Sequence, residues 1–123
     1  MSFRIRPITL ALSWTVLILV LLSVPGKSIP RVAIFEFDKF IHAGLFFVLT
    51  TLWLNALAAK SIAKALVVLG FIIAFSFVSE WYQGLLPFGR TADLFDAVAD
   101  SVGALLGLAF WGVVVALRNL PKN

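Results

Sequence analysis

The chain has 123 residues, 62% of them hydrophobic and 13% charged, with a formal net charge of +4; it is more apolar than an ordinary soluble domain and long enough for one domain only. It has no cysteine, which excludes a disulfide framework, a thiol nucleophile and a thiolate metal site. Its ten Lys and Arg residues stand singly rather than in a basic patch, which argues against nucleic-acid binding. We expect a single domain, residues 1–123, whose partner is a lipid bilayer.

The first apolar run predicts a transmembrane helix over about residues 7–24. Pro7 suits the first turn of a helix, and Pro25-Gly26 suits its end. The run is about 18 residues long, which is just enough to cross the bilayer core. A cleaved signal peptide is the alternative, because two arginines precede the run, but no A-x-A-like cleavage site follows it.

The other three apolar runs predict helices over about residues 38–59, 62–86 and 91–117. Only Lys60-Ser61 separates the second helix from the third, so these two should form an antiparallel hairpin. A segment with two glycines and a proline, residues 84–90, interrupts the pattern before the fourth helix. The expected fold class is all-α: a polytopic membrane protein with four transmembrane helices in a compact antiparallel bundle.

The positive-inside rule, which counts Lys and Arg near the helix ends, orients this bundle. Most of the basic residues fall at the N-terminus, in the second connection or at the C-terminus, with no acid among them. They are Arg4, Arg6, Lys60, Lys64, Arg118 and Lys122. We therefore expect a multi-pass protein of the cytoplasmic (inner) membrane, with both termini in the cytoplasm and the other helix ends facing outward.

All six carboxylates and the only histidine belong to that outward side. They are Glu36, Asp38 and His42 near the start of helix two, and Glu80, Asp93, Asp96 and Asp100 near the end of helix three and the start of helix four. A charged group at bilayer depth costs roughly 2.5–3.5 kcal/mol on insertion scales and is rare without a purpose. Apart from Glu36, which is expected in a surface loop, these residues mark the candidate functional site.

Helical periodicity places these side chains on faces that can meet. An arc of about 80° on helix four contains Asp93, Asp96, Asp100, Gly103 and Gly107. An arc of about 100° on helix three contains Ser76, Ser79, Glu80 and Gln83. Asp38 and His42 share a face of helix two because they are four residues apart. Gly103 and Gly107 should be buried against another helix, since their spacing permits close backbone approach.

Several of these residues also have a purely structural interpretation. Asp38 and Asp93 are well placed to cap helices two and four, and Lys39 has the position of an interfacial residue that extends its charge to water. Asp100 lies more than two turns inside predicted helix four, beyond the reach of a cap, and Glu80 lies nearly two turns from the end of helix three. For these two, the structural alternative is a buried polar network that only fixes the register of the helices.

Four short motifs follow one another over roughly residues 38–107. They are Asp38-Lys39-x-x-His42, Glu80-x-x-Gln83, Pro87-x-x-Arg90-x-x-Asp93-x-x-Asp96 and Gly103. In order and spacing they resemble the VanZ-like membrane proteins, a family named for a component associated with teicoplanin resistance in glycopeptide-resistance clusters. The resemblance implies a cell-envelope role without implying a mechanism.

By position, the polar signature of the family falls on a set of residues that we take as candidate ligand-binding residues. They are Asp38, Lys39, His42, Glu80, Gln83, Arg90, Asp93 and Asp96. Family members often carry asparagine at the position of Asp100. We add Asp100 to the set because it lies beyond the reach of a helix cap.

One hypothesis for this site is an enzyme centre on the outer face of the membrane. Carboxylates and an imidazole can hold Mg²⁺, Mn²⁺ or Zn²⁺, and the candidate metal ligands are Asp38, His42, Glu80 and Asp96. Such a metal would polarise a phosphoryl oxygen of a lipid-linked phosphate, or activate water against a cell-wall precursor. The catalytic candidates are His42, Glu80 and Asp96. The chain has no HExxH motif, nucleophile elbow or P-loop.

Two further hypotheses need no chemistry. A non-catalytic pocket would bind an envelope ligand through Lys39, Gln83 and Arg90, with Arg90 also the natural counter-ion of the acids on helices three and four. A proton- or ion-coupled transporter is the other, because intramembrane acids also mark ion paths. Four helices are few for alternating access, so a transporter would act as a homo-oligomer. The preferred function is a cell-envelope role connected with teicoplanin susceptibility.

Overall fold

The computed structural model describes residues 4–24, 31–87 and 92–123, and only the backbone of residues 31–36. Its helices are α1 (Pro7–Leu22), α2 (Arg31–Ala56), α3 (Ile62–Leu85) and α4 (Leu94–Arg118). No strand occurs in the described ranges. The predicted all-α fold with four helices is confirmed.

Two tryptophan side chains fasten α1 to α2. Trp14 Nε1 donates a hydrogen bond to the carbonyl oxygen of Leu45 at 2.9 Å, and Trp53 Nε1 donates to Thr15 Oγ1 at 3.0 Å. A buried indole N–H usually needs such a partner. These two residues therefore join α1 to α2.

α2 begins at Arg31, seven residues before the predicted start at Asp38. The intervening residues 32–37 contain neither glycine nor proline, so nothing in them interrupts a helical backbone. Asp38 consequently lies about two turns inside α2. The interpretation of Asp38 as a helix cap is wrong, and its carboxylate is available to other partners.

α2 and α3 form the predicted hairpin, but residues 57–61 join them rather than two residues alone. Ser61 caps α3, because its Oγ accepts a hydrogen bond from the Lys64 backbone N–H at 3.2 Å. The Lys64 ammonium donates to the carbonyl oxygen of Leu57 at 3.0 Å. The two hydrogen bonds hold this short connection between the helices.

Asp93 caps α4, as the sequence suggested. Its Oδ1 accepts a hydrogen bond from the Phe95 backbone N–H at 2.9 Å, and α4 starts at Leu94, three residues later than predicted. Asp100 is therefore six residues beyond Leu94, about 1.7 turns. This depth is less than the predicted two turns, but it is still beyond the reach of a cap.

The most extensive helix contact joins α2 to α4, and two buried glycines make it possible. A Cβ added at Gly103 would overlap the carbonyl oxygen of Ala43, and one added at Gly107 would lie 2.7 Å from the carbonyl oxygen of Phe47. The predicted burial of both glycines against a helix is confirmed. Their close approach sets the start of α4 directly against α2.

Three helical segments are long and apolar enough to cross a membrane: Phe37–Ala56 within α2, and the whole of α3 and α4. α1 has 16 residues, about 24 Å, against a hydrocarbon core of about 30 Å. Much of the outer surface is apolar, with Phe40 76% and Phe71 73% exposed, as expected of side chains that face lipid. The chain is a polytopic membrane protein.

Candidate functional site

Ionisable side chains of α2, α3 and α4 meet at the end of the bundle that contains the α3–α4 connection; we call them the acidic cluster. Its members are Asp38, Lys39, His42, Glu80, Asp93, Asp96 and Asp100. His42 and Glu80 each lie five residues inside the end of an apolar span, about 7.5 Å deep. The acidic cluster therefore lies at one level on three helices, within the ends of the apolar spans.

His42 is the centre of the acidic cluster and is only 4% exposed. Its Nδ1 lies 2.8 Å from Asp100 Oδ1 and 4.0 Å from Glu80 Oε1. Its Nε2 lies 3.6 Å from Asp96 Oδ2 and 3.7 Å from Asp38 Oδ1. One imidazole thus faces four carboxylates, an arrangement suited to holding a proton or a metal cation.

Asp100 is the most deeply buried carboxylate of the cluster, at 1% exposure. Its Oδ1 is hydrogen-bonded to His42 Nδ1 at 2.8 Å, and its Oδ2 accepts a hydrogen bond from Ser76 Oγ at 2.8 Å. Ser79 Oγ donates to the carbonyl oxygen of Ser76, also at 2.8 Å. The small polar face of α3 therefore fixes the orientation of a carboxylate on α4.

Glu80 has one carboxylate oxygen that is hydrogen-bonded and one that is not. Oε2 accepts from the backbone N–H of Asp93 at 3.1 Å. Oε1 is buried and has no hydrogen-bond partner among the described residues. Leaving a buried polar atom unpaired costs about 1–3 kcal/mol, more if it is charged. An added proton or cation would therefore satisfy Oε1.

Lys39 supplies positive charge to the cluster and joins α2 to the start of α4. Its ammonium donates hydrogen bonds to Asp93 Oδ2 at 2.8 Å and to Asp96 Oδ1, and it lies 3.7 Å from Asp38 Oδ2. This ammonium, followed by the Phe95 amide, holds the pKa of Asp93 below its ordinary value. Lys39 therefore pairs with carboxylates of the acidic cluster while 44% of its side chain stays exposed.

The predicted ligand-binding set has two further members, Gln83 and Arg90. Gln83 is buried on the face of α3 that carries Glu80, one turn further along. Arg90, the predicted counter-ion, lies outside the described residues, as does the side chain of Glu36. Within the described part of the chain, Lys39 holds the place in the cluster that the sequence suggested for Arg90.

Negative charge predominates in the acidic cluster. Five carboxylates face one ammonium, and the imidazole of His42 is the remaining ionisable group among the described residues. Glu80, Asp96 and Asp100 are buried, where water screens like charges poorly. The cluster therefore favours added protons, a metal cation, or a ligand with positive or hydrogen-bond-donating groups.

The Lys39 ion pair yields a prediction about stability. Lys39→Gln should destabilise the protein by about 1–3 kcal/mol, because it leaves the buried Asp96 carboxylate without its cation. Breaking a fully buried ion pair costs about 3–5 kcal/mol, but the Lys39 side chain is 44% exposed, so the smaller figure applies. Thermal unfolding in detergent measures the loss. Asp96→Asn added to Lys39→Gln should restore most of it, since the stranded charge is then removed. A double variant less stable than Lys39→Gln would contradict the pairing.

Two sets of three side chains in the cluster have the spacing of metal ligands. The sets are Asp38, His42 and Asp96, and His42, Glu80 and Asp100, and the donor atoms within each set all lie within 4.8 Å of one another. The predicted metal candidates are divided between the two sets, with His42 in both. Asp100 was not among the predicted metal candidates. Because it is four residues from Asp96 and shares its helix face, the sequence could have indicated it as a further metal ligand.

Below the acidic cluster the interior of the bundle is apolar. The buried core there includes Phe46 and Leu49 of α2, Ile72 of α3 and Ala104 of α4. Among the described residues, Thr50 is the buried polar side chain that lies deeper than the cluster and the adjoining face of α3. The buried ionisable side chains of the described residues therefore lie at one end of the bundle. The polar groups found deeper are neutral, such as the Thr50 hydroxyl and the Trp53–Thr15 hydrogen bond.

A comparison with protein families identifies the chain. The family model described as VanZ/LLP1 matches residues 6–115, a range that contains α1 to α3, most of α4 and the whole acidic cluster. No curated protein and no solved structure matches the chain. The family match covers most of the 123 residues and confirms the resemblance first indicated by the polar motifs. The chain belongs to the VanZ/LLP1 family.

Proposed function

We propose that this protein spans the bacterial cytoplasmic membrane with its acidic cluster facing away from the cytoplasm, where it acts on a ligand of the cell envelope. The ligand is a lipid-linked or cell-wall precursor, and the result is an altered susceptibility to teicoplanin. The observation that carries the proposal is the convergence of five carboxylates and the only histidine at one end of the bundle. The link to teicoplanin comes from the VanZ-like resemblance.

A purely structural role explains only part of the acidic cluster. Lys39 tying Asp93 and Asp96 to α2 serves the fold. Glu80 is different, because its buried Oε1 makes no hydrogen bond among the described residues and adds a like charge close to Asp100. Ionisable groups kept within a membrane span without such compensation are candidates for function.

The distribution of basic residues supports the outward orientation. The end of the bundle opposite the acidic cluster contains the start of α1, the α2–α3 connection and the end of α4. It carries Arg4, Arg6, Lys60, Lys64, Arg118 and Lys122. The positive-inside rule assigns such an end to the cytoplasm, which leaves the acidic cluster on the envelope side.

The exposure of the cluster residues suggests how a ligand enters. The side chains of Lys39 and Asp93 are 44% and 42% exposed, whereas those of His42 and Asp100 are 5% and 1% exposed. Lys39 and Asp93 thus form the entrance, and His42 and Asp100 form the floor. An excess of carboxylates attracts cationic or hydrogen-bond-donating ligand groups, and a phosphate approaches it only through a metal cation.

Transport is the less well supported alternative. A path for a proton or ion needs polar groups or water at successive depths, and the described interior beneath the cluster is built largely from apolar side chains such as Phe46, Leu49 and Ile72. The tight contact of Gly103 with Ala43 also closes the space between α2 and α4. Both features favour a site that is entered and left from the same side.

Reporter fusions test the orientation on which the proposal depends. Alkaline phosphatase, which is active only outside the cytoplasm, should be inactive when fused after Asn123 and active when fused after Arg90, in the α3–α4 connection. A reporter active only in the cytoplasm, fused at the same two points, should give the opposite pattern. If phosphatase were active after Asn123 and inactive after Arg90, the cluster would face the cytoplasm and the envelope role would be untenable.

A further inference from the structure

We propose that the acidic cluster binds one divalent transition-metal ion through His42 Nδ1, Glu80 Oε1 and Asp100. The inference deepens the function proposed above and rests on the acidic cluster being the functional site. It selects one of the two sets of side chains with metal-ligand spacing. Three observations carry it: an unpaired buried oxygen, the spacing of the donor atoms and the balance of charge.

The unpaired oxygen belongs to Glu80. The residue is 4% exposed, and Oε1 has no hydrogen-bond partner among the described residues, although Oε2 accepts from the Asp93 backbone N–H. Oε1 points into the cluster, 4.0 Å from His42 Nδ1. That distance is too long for a hydrogen bond but leaves room for an ion between the two atoms. A metal ion there would satisfy the oxygen that the protein leaves unpaired.

The spacing of the donor atoms fits a small cation. Zn²⁺ binds histidine nitrogen and carboxylate oxygen at about 2.0–2.2 Å, so neighbouring ligand atoms in a tetrahedral site lie roughly 3.4 Å apart. His42 Nδ1 lies 2.8 Å from Asp100 Oδ1, in a hydrogen bond that a bound metal ion would replace, and 4.0 Å from Glu80 Oε1. The first separation is below the tetrahedral spacing and the second is above it. Shifts of about 0.6 Å would equalise the two separations. Side-chain rotation supplies such shifts without moving a helix.

The charge balance also favours this set. As metal ligands, Glu80 and Asp100 would together supply two negative charges, which match a divalent cation when the imidazole is neutral. In the alternative set, Asp96 is already bound by the Lys39 ammonium, whose charge repels a second cation at that point. The cluster thus divides into a lysine-bound part near the surface and a metal-bound part beneath it.

The far side of the imidazole is arranged as in many metal-bound histidines. A ligating histidine usually donates its other ring N–H to a carboxylate or carbonyl, which fixes its tautomer and orientation. His42 Nε2 faces Asp96 Oδ2 at 3.6 Å and Asp38 Oδ1 at 3.7 Å, so two carboxylates flank the nitrogen that does not face Glu80. Small adjustments would bring either one into hydrogen-bonding distance.

The ligand types indicate which metal to expect. An imidazole selects transition metals such as Zn²⁺ or Mn²⁺ over Mg²⁺ and Ca²⁺, which prefer oxygen ligands throughout. Three protein ligands leave at least one coordination position open, as in catalytic rather than structural zinc sites. A phosphate oxygen or a water molecule would occupy that position, which gives an anionic precursor a place to bind among carboxylates.

Metal titration of the purified chain tests the inference. The full-length protein in detergent is treated with a chelator, freed of it, and titrated with ZnCl₂ or MnCl₂ by isothermal calorimetry, with bound metal counted by elemental analysis. We expect one saturable ion per chain. Glu80→Gln and Asp100→Asn should each weaken metal binding by at least about 100-fold. Loss of a residue that only hydrogen-bonds to a metal ligand costs about 10–100-fold, and these two variants remove the ligands themselves.

Two matched variants sharpen the result. Glu36→Gln removes the same charge as Glu80→Gln from the same side of the protein but outside the proposed ligands, so it should bind the metal like the parent. Asp38→Asn removes a ligand of the alternative set and should keep most of the affinity. Loss of binding in Asp38→Asn, with binding kept in Asp100→Asn, would overturn the assignment.

The parent protein alone also decides the question if a variant folds poorly. Added Zn²⁺ or Mn²⁺ should raise its thermal midpoint, a chelator should reverse the shift, and the X-ray absorption spectrum should show one imidazole in a shell of oxygen ligands. No saturable uptake by the parent would refute the metal site and leave the envelope role standing. If the protein took up the metal saturably but cells that carry it had the same teicoplanin susceptibility as cells without it, the envelope role would be refuted and the metal site would stand.

Discussion

Substituting alanine for Gly103 should destabilise the protein by about 3 kcal/mol, and substituting leucine should prevent most of the chain from folding in detergent. A Cβ at this position would overlap the carbonyl oxygen of Ala43. That oxygen belongs to the backbone of α2, so it cannot rotate away as a flexible side chain would. Relief would require α2 and α4 to separate, and their contact is the most extensive in the bundle. Thermal unfolding and folded yield in detergent measure the two effects.

Gly112 provides the matched control on the same helix. A Cβ added there would meet nothing within 4 Å, and alanine is the better helix former by about 1 kcal/mol. Gly112→Ala should therefore be neutral or slightly stabilising. Equal losses in Gly103→Ala and Gly112→Ala would mean that the cost arises from the helix backbone and not from the contact between α2 and α4.

The sequence predicted the convergence of the polar residues because helical spacing settles which side chains share a face. Asp96, Asp100 and Gly103 lie on one stripe of α4, and that stripe contacts α2 as expected. Glu80 and the serines of α3 likewise lie on one buried face. Once the hairpin and the α3–α4 connection fix the directions of the helices, these faces can meet only at one end of the bundle.

The start of α2 and the partner of Lys39 could not be predicted in the same way. Asp38 is an acceptable cap by residue type, and residues 32–37 carry no breaker that would distinguish a loop from a helix. Starting α2 at Arg31 sets Lys39 about two turns inside the helix, beside Asp93 and Asp96. Those partners lie 54 and 57 residues away, so tertiary packing decides the contact and local spacing carries no signal for it.

His42→Ala and Glu80→Gln should each abolish the effect of the protein on teicoplanin susceptibility without reducing its insertion into the membrane. His42 contacts carboxylates of all three helices, so its loss removes the centre of the site. Glu80→Gln keeps the shape of the side chain and removes one of several like charges, so the variant should be as stable as the parent or more stable. Loss of function with stability retained is the behaviour of a functional site, since a structural network would lose both.

The double variant should be little worse than either single variant. Residues that act as one site are strongly non-additive, because the first loss already removes what the second contributes. If His42 and Glu80 acted independently, as separate structural contacts, the losses of stability in the two single variants would add in the double variant. Thermal unfolding of the three variants, alongside their susceptibility phenotypes, separates the two cases.

The most direct measurement of the central claim is the teicoplanin susceptibility of cells that carry Glu80→Gln, compared with cells that carry Glu36→Gln, at equal membrane abundance of the two proteins. Both variants replace a glutamate by glutamine, and Glu80 is the one of the two among the described residues that define the acidic cluster. We expect Glu36→Gln to behave like the parent and Glu80→Gln to behave like cells without the protein. If Glu80→Gln reached the membrane at the same level and behaved like the parent, the acidic cluster would be a structural network and not the functional site.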